Sequence, residues 1–147
     1  MAHNRPEPTE HFTKMIRNHM ELQAWRELST TAQAIYPFMK LEWKGPKANN
    51  NGKIEISARQ LAIKIGVTRT TAANALHDLQ RKGWIFVTKK ANLGLAGQAR
   101  GNLYELTEIA LPGDNPRPRN LFRDWSPGHD LDVAQIRTNN PKGFNGK

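Results

Sequence analysis

The sequence predicts a mainly α fold with one small β-hairpin, extra N-terminal helices and an irregular C-terminal tail. Three observations carry that prediction. Two capped amphipathic stretches flank the tight turn Gly66-Val67-Thr68. Two stretches of strand character, residues 84–88 and 102–107, follow directly. A loosely helical apolar pattern precedes both, from Phe12 to Leu28.

Taken in order, residues 1–11 are rich in Pro and charge and are expected to be disordered. Met15, Ile16, His19, Met20 and Leu22, then Ala24, Trp25 and Leu28, recur at near-helical spacing. Ser29-Thr30-Thr31 interrupts the pattern and offers an N-cap. A helix over about 31–43 would bury Ala34, Ile35, Phe38, Met39 and Leu41, and Pro37 in its second turn predicts a kink or a late start. Gly45 to Gly52 breaks the chain, with Asn49-Asn50-Asn51-Gly52 reading as a turn. Residues 53–56 alternate as a short strand.

Ser57 is an N-cap, and Gln60 three residues on completes a capping box. The helix it opens, 58–65, faces inward with Leu61, Ala62 and Ile65, and Gly66 ends it. Thr68 caps a second helix to about Lys82, whose buried stripe is Ala72, Ala75, Leu76 and Leu79. Arg81 and Lys82 read as charges offsetting the helix dipole, His77 as a solvated outer residue, and Gly83 as the stop. In the following strand, Trp84 and Phe86 read as core. After Pro112 the chain is Pro- and Gly-containing, and only 121–125 and 131–136 are apolar enough to dock.

Helix, three-residue turn, helix and hairpin together define a winged helix-turn-helix. A small residue, Ala62, stands where the helices cross, Gly66 lets the backbone reverse, and Val67 plugs the angle. The expected organisation is a folded domain at 12–111 and a basic tail at 112–147. In this geometry the second helix enters the major groove of double-stranded DNA by its N-terminal half. Ala72 faces inward, which leaves Arg69, Thr70, Ala73 and Asn74 as candidate base readers, with Thr71 beside them. Arg pairs bidentately with guanine and Asn with adenine, and Thr or Ala meets a thymine methyl. Ser57, Arg59 and Thr68 are candidates for phosphates. Lys89, Lys90 and Arg100 on the hairpin are candidates for the backbone or minor groove.

Charge agrees with a polyanionic partner. The 147 residues carry a formal +9, and residues 57–111 hold most of the excess, with eight Lys/Arg against three Asp/Glu. There is no Cys, so disulfides and thiolate metal sites are excluded. No apolar run is long enough for a membrane span, and MAHNRPEPTEH lacks the apolar core of a signal peptide, so a cytoplasmic protein is expected.

Several of these segments also carry a family resemblance. Ala24-Trp25-Arg26-Glu27-Leu28-Ser29, Asn50-Asn51-Gly52-Lys53-Ile54, Ser57-Ala58-Arg59-Gln60-Leu61-Ala62 and Thr71-Ala72-Ala73-Asn74-Ala75-Leu76 occur in one order, followed by Gly83-Trp84-Ile85 and Tyr104-Glu105-Leu106-Thr107. Between about Met20 and Leu111 the chain resembles small winged-helix proteins of alphaproteobacterial plasmids, phages and mobile elements, among them the rhizobial repressors of conjugal transfer. The resemblance implies a DNA-binding regulator and carries over no catalytic residue.

An enzyme is not expected. None of His3, His11, His19, His77 and His129 pairs with another at the i, i+4 spacing of a helical zinc site, and Gly94-Leu95-Ala96-Gly97 lacks the ending of a phosphate loop. No cofactor and no metal are expected. The leading expectation is a sequence-specific transcriptional regulator of the repressor type. It would be a homodimer through N-terminal helices, where Phe12, Met15, Ile16 and Met20 exceed what a small core buries. The alternatives are a replication initiator or accessory protein of a mobile element, and a winged-helix interaction module that has lost DNA contacts.

Overall fold

The computed structural model describes residues 10–91, 101–114 and 117–136. The expected disorder of residues 1–9 and most of the hairpin tip, Arg100 included, lie outside them. Among the described residues five α-helices, one 3-10 turn and a three-stranded antiparallel sheet make up the regular structure, consistent with a mainly α class with a small hairpin.

The N-terminal segment does not form one helix. It breaks into two single turns, α1 (Arg17–Met20) and α2 (Gln23–Arg26). Neither has a side-chain cap, and each closes by its own backbone bonds. The helix α3 (Thr30–Lys40) starts at once behind Ser29, whose hydroxyl accepts the Ala32 N–H. Pro37 therefore does not delay it. Beyond Lys40 only three-residue turns continue to Trp43. Ala34, expected inside, is exposed; Ala32, Ile35, Tyr36 and Met39 form the buried face.

Strand β1 (Ile54–Glu55) leads into α4 (Ala58–Ile65). The capping box at Ser57 and Gln60 forms in both directions. At the far end Gly66 takes a left-handed φ of 76°, and the N–H groups of Gly66 and Val67 both bond the Ala62 carbonyl. Three residues later α5 (Arg69–Arg81) begins, capped by Thr68. It ends in a Schellman motif: Trp84 N–H returns to Leu79 O and Gly83 N–H to Gln80 O, with Gly83 at φ 84°.

The hairpin follows as β2 (Ile85–Lys89) and β3 (Leu103–Leu106), with a bulge between Val87 and Lys89. Strand β1 pairs on the other side of β3, Ile54 opposite Tyr104, giving the order β1-β3-β2. The Asn49-Asn50-Asn51 segment is more than a turn. Asn51 is buried, and its carboxamide bonds both the N–H and the carbonyl of Leu106 and the carbonyl of Ile109. Asn49 and Asn50 tie the same loop to Ala110 O and Glu42 O. Three side chains thus stand in for a missing length of strand.

One core unites these parts. Trp84 is its centre: Trp25 and Tyr36 meet it edge-on at 5.3 and 5.5 Å, and its Nε1–H donates to Ala24 O. Its remaining face is covered by the tail. Phe122, in the 3-10 turn Leu121–Asp124, stacks on Trp84 at 3.9 Å, and Trp125 is also buried. Gly83 makes this possible, because a Cβ there would stand 2.8 Å from the Leu121 carbonyl carbon. Among the described residues after Pro112 the 3-10 turn is the one regular element, and Phe122 and Trp125 share the core of the preceding domain. Phe86 goes the other way. Expected inside, it is 46% exposed, with the Arg119 guanidinium 4.9 Å from its ring centre.

A buried ionic cluster lies below. Glu108 accepts from Lys40 Nζ at 2.7 Å and from Tyr36 OH at 2.9 Å, and it also contacts His19 Nδ1. The His19 Nε2 faces Arg123, a donor, at 3.1 Å. Lys82, read from sequence as a dipole-compensating surface charge, is buried between Asp78 and the Trp125 ring.

Candidate nucleic-acid interface

Exposure divides α5 into two halves. In the first, Arg69, Thr70, Thr71 and Asn74 are exposed. In the second, Asp78, Leu79 and Gln80 are buried, and His77 and Arg81 are half-buried. The division follows from what covers each part. Asp78 accepts the Ser29 N–H at 2.9 Å, so the start of α3 sits against that flank. On the opposite flank lies the tail. The Gln80 carboxamide clamps the backbone of Ala134, donating at 3.1 Å and accepting at 2.7 Å, and His77 Nε2 accepts the Ile136 N–H at 2.9 Å. His77 is therefore a docking residue and not a solvated one. Burial, with the Arg81 charge second, holds its imidazole below the ordinary value, which suits a ring nitrogen that accepts.

Ala73 does not join the exposed set. It is 2% exposed. The residue lies four positions before His77 and seven before Gln80, hence on the flank that the tail occupies. It belongs to the shared core, at the edge of the stripe that Ala72 and Leu76 form. The remaining candidates on the two helices, Ser57, Arg59 and Thr68, are exposed.

The hydroxyls have local duties. Ser57 Oγ accepts the Gln60 N–H, and Thr68 Oγ1 accepts the Thr71 N–H. Thr68 also donates to Thr71 Oγ1 at 3.0 Å, which leaves the Thr71 hydroxyl proton directed elsewhere. Ser57 keeps its own proton to donate. Ser57 can therefore hold its helix and still offer a donor at the surface, whereas at the second cap the uncommitted proton is that of Thr71.

Along α4 and the first half of α5 the charged residues have one sign. From Ser57 to His77 the sequence contains Arg59, Lys64 and Arg69 and no acidic residue. On the hairpin, Lys89 and Lys90 are exposed beside the bulge. The acidic residue of β3, Glu105, is buried and neutralised by Arg119 in a two-pronged contact of 3.0 and 2.6 Å. Among the described residues no group of three or more His, Asp or Glu side chains is placed to hold a metal ion. No helix of the described chain is long and apolar enough to cross a membrane. No protein-family model, no curated protein and no solved structure matches the chain.

Proposed function

We propose that this chain binds double-stranded DNA as a winged helix-turn-helix regulator of the repressor type. The first half of α5 is read into the major groove, and the β2–β3 hairpin serves as the wing. One observation carries the reading. Among the described residues the part of α5 left exposed is its start, where Arg69, Thr70 and Asn74 stand in a stretch, Ser57 to His77, that contains no acidic residue. A helix that enters the major groove presents base-reading side chains from that end. The covered second half would serve to hold the helix, through Asp78, Gln80 and His77.

Arg69 and Asn74 are the base readers in this account, with Thr70 and Thr71 beside them. Ser57, Arg59 and Thr68 lie toward the phosphates, as do Lys89 and Lys90 on the wing. The N-terminal segment supplies the dimer contact. Met15 packs on the protein's own core, whereas Phe12 is 80% and Met20 37% exposed. Those two side chains would meet a second copy.

Arg69→Ala is expected to weaken binding to the preferred duplex by about 1–3 kcal/mol and to relax one base position. Lys89→Ala with Lys90→Ala should instead weaken all duplexes alike and flatten the salt dependence. Fluorescence anisotropy on preferred and scrambled duplexes separates the two. Unchanged discrimination in Arg69→Ala would remove α5 from base reading.

A further inference from the structure

The tail is an arch whose anchors stand at the end of α5. Its backbone packs against Gly83 at Leu121 and Phe122. It returns to the helix where Leu131 N–H bonds Arg81 O at 2.9 Å and the Gln80 carboxamide holds Ala134. Between this arch and β2 lies a cavity of about 510 Å³. Sites that take small organic molecules measure about 300–1,000 Å³.

The lining sets the chemistry of an occupant. Ile85 and Val87 of β2, with Leu121, Leu131 and Val133 of the tail, make most of it apolar. Leu131 is 39% exposed, and Val87 and Val133 are half-buried, so an apolar occupant would remove hydrocarbon from water. The cations of the lining are Lys90 and Arg119, against one acid, Asp132. Lys90 is exposed just past the end of β2. Arg119 commits Nε and Nη2 to Glu105, which does not line the cavity, and Nη1 can still donate. An anionic head would find two cations there, and a cationic head would meet them as like charges. We propose that this cavity binds a small organic anion with an apolar body, its head toward Lys90 and Arg119. The site shares Lys90 with the wing but does not depend on the duplex-binding reading.

The test titrates octanoate, octanol and octylamine, which share one apolar body, into the isotope-labelled full chain and follows its amide resonances. Shifts are expected to concentrate at residues 85–90 and 131–134. Octanoate should bind about tenfold more tightly than octanol, the usual contribution of one charge-assisted hydrogen bond, with octylamine weakest. Leu131→Glu places a carboxylate in the lining at an exposed position. It should weaken octanoate binding about tenfold at an unchanged melting temperature. Lys90→Gln should lower the preference for octanoate over octanol several-fold and leave octanol binding as it was. Tighter binding of octylamine would overturn the anion, since Asp132 would then govern the cavity. Equal binding of the three compounds would overturn the role of the two cations. Shifts spread over the whole surface, or none up to the solubility of octanoate, would overturn the site itself.

Discussion

Glu108→Ala is expected to destabilise the protein by about 3–5 kcal/mol, the usual effect of removing one partner from a buried ion pair. The carboxylate is 3% exposed, as is Lys40, so the substitution leaves an ammonium group buried without its counter-charge. His19 and Tyr36 lose their acceptor in the same step. Those residues belong to α1, α3 and the segment after β3, so the loss falls on the junction of three parts of the fold. Urea unfolding should show a lower midpoint with an unchanged slope. Combining it with Lys40→Met should recover part of the loss, because no unpaired charge then remains.

The same cluster sets a pH dependence. Burial pushes the Glu108 carboxyl up, but the hydrogen bonds from His19, Lys40 and Tyr36, with the Lys40 charge, outweigh it and hold the group below its ordinary value. A carboxyl depressed in the folded state binds its proton more readily in the unfolded chain, so stability rises with pH across that window. The contribution is fully present above the ordinary value of 4.5 and is lost as pH falls through the depressed one. In Glu108→Gln this acid limb should be shallower. An unchanged limb would assign acid sensitivity to other carboxylates.

Phe122→Ala is the second large effect, expected at about 3–5 kcal/mol. Phe122 is fully buried, stacked face to face on Trp84 and met edge-on by His19 at 4.9 Å. Its removal opens a cavity beside the central tryptophan and loosens the tail at Gly83, where the two backbones touch. Thermal unfolding should stay a single transition at a lower temperature. A loss below about 1 kcal/mol would mean that the tail is an appendage whose docking contributes little to the fold.

These two residues mark where the sequence stopped being readable. Local chemistry was legible: Ser29, Ser57 and Thr68 cap as their side chains dictate, and Gly66 and Gly83 take the left-handed conformations that end helices. The hairpin strands were legible from composition and alternation. The Glu108 cluster was not, because its partners stand 68 to 89 residues away and none has a local signature. Of the tail, the two segments that dock, 121–125 and 131–136, were legible from their apolar residues, but where they dock was not. Their burial comes from ring stacking and from backbone bonds to Gln80 and His77, neither of which imposes a period on the sequence. Ala73, expected to face outward, joins the core at the edge of the buried stripe of α5. Asn51 looked like turn chemistry, yet its carboxamide completes backbone pairing with Leu106, 55 residues on.

For the candidate site the position of α5 and its exposed residues followed from caps and helical phase. What the fold adds is the covering of the second half of α5. Of the proposed base readers Arg69, Thr70 and Asn74 are exposed and Ala73 is not, while His77 and Gln80 hold the tail.

The central claim is sequence-specific duplex recognition by the start of α5. Its most direct test is selection of bound duplexes from a randomised pool by the full chain. The account predicts that the recovered sequences converge on one short site, preferred over random duplex by about 10³-fold or more. Recovered duplexes with the base frequencies of the starting pool would contradict it.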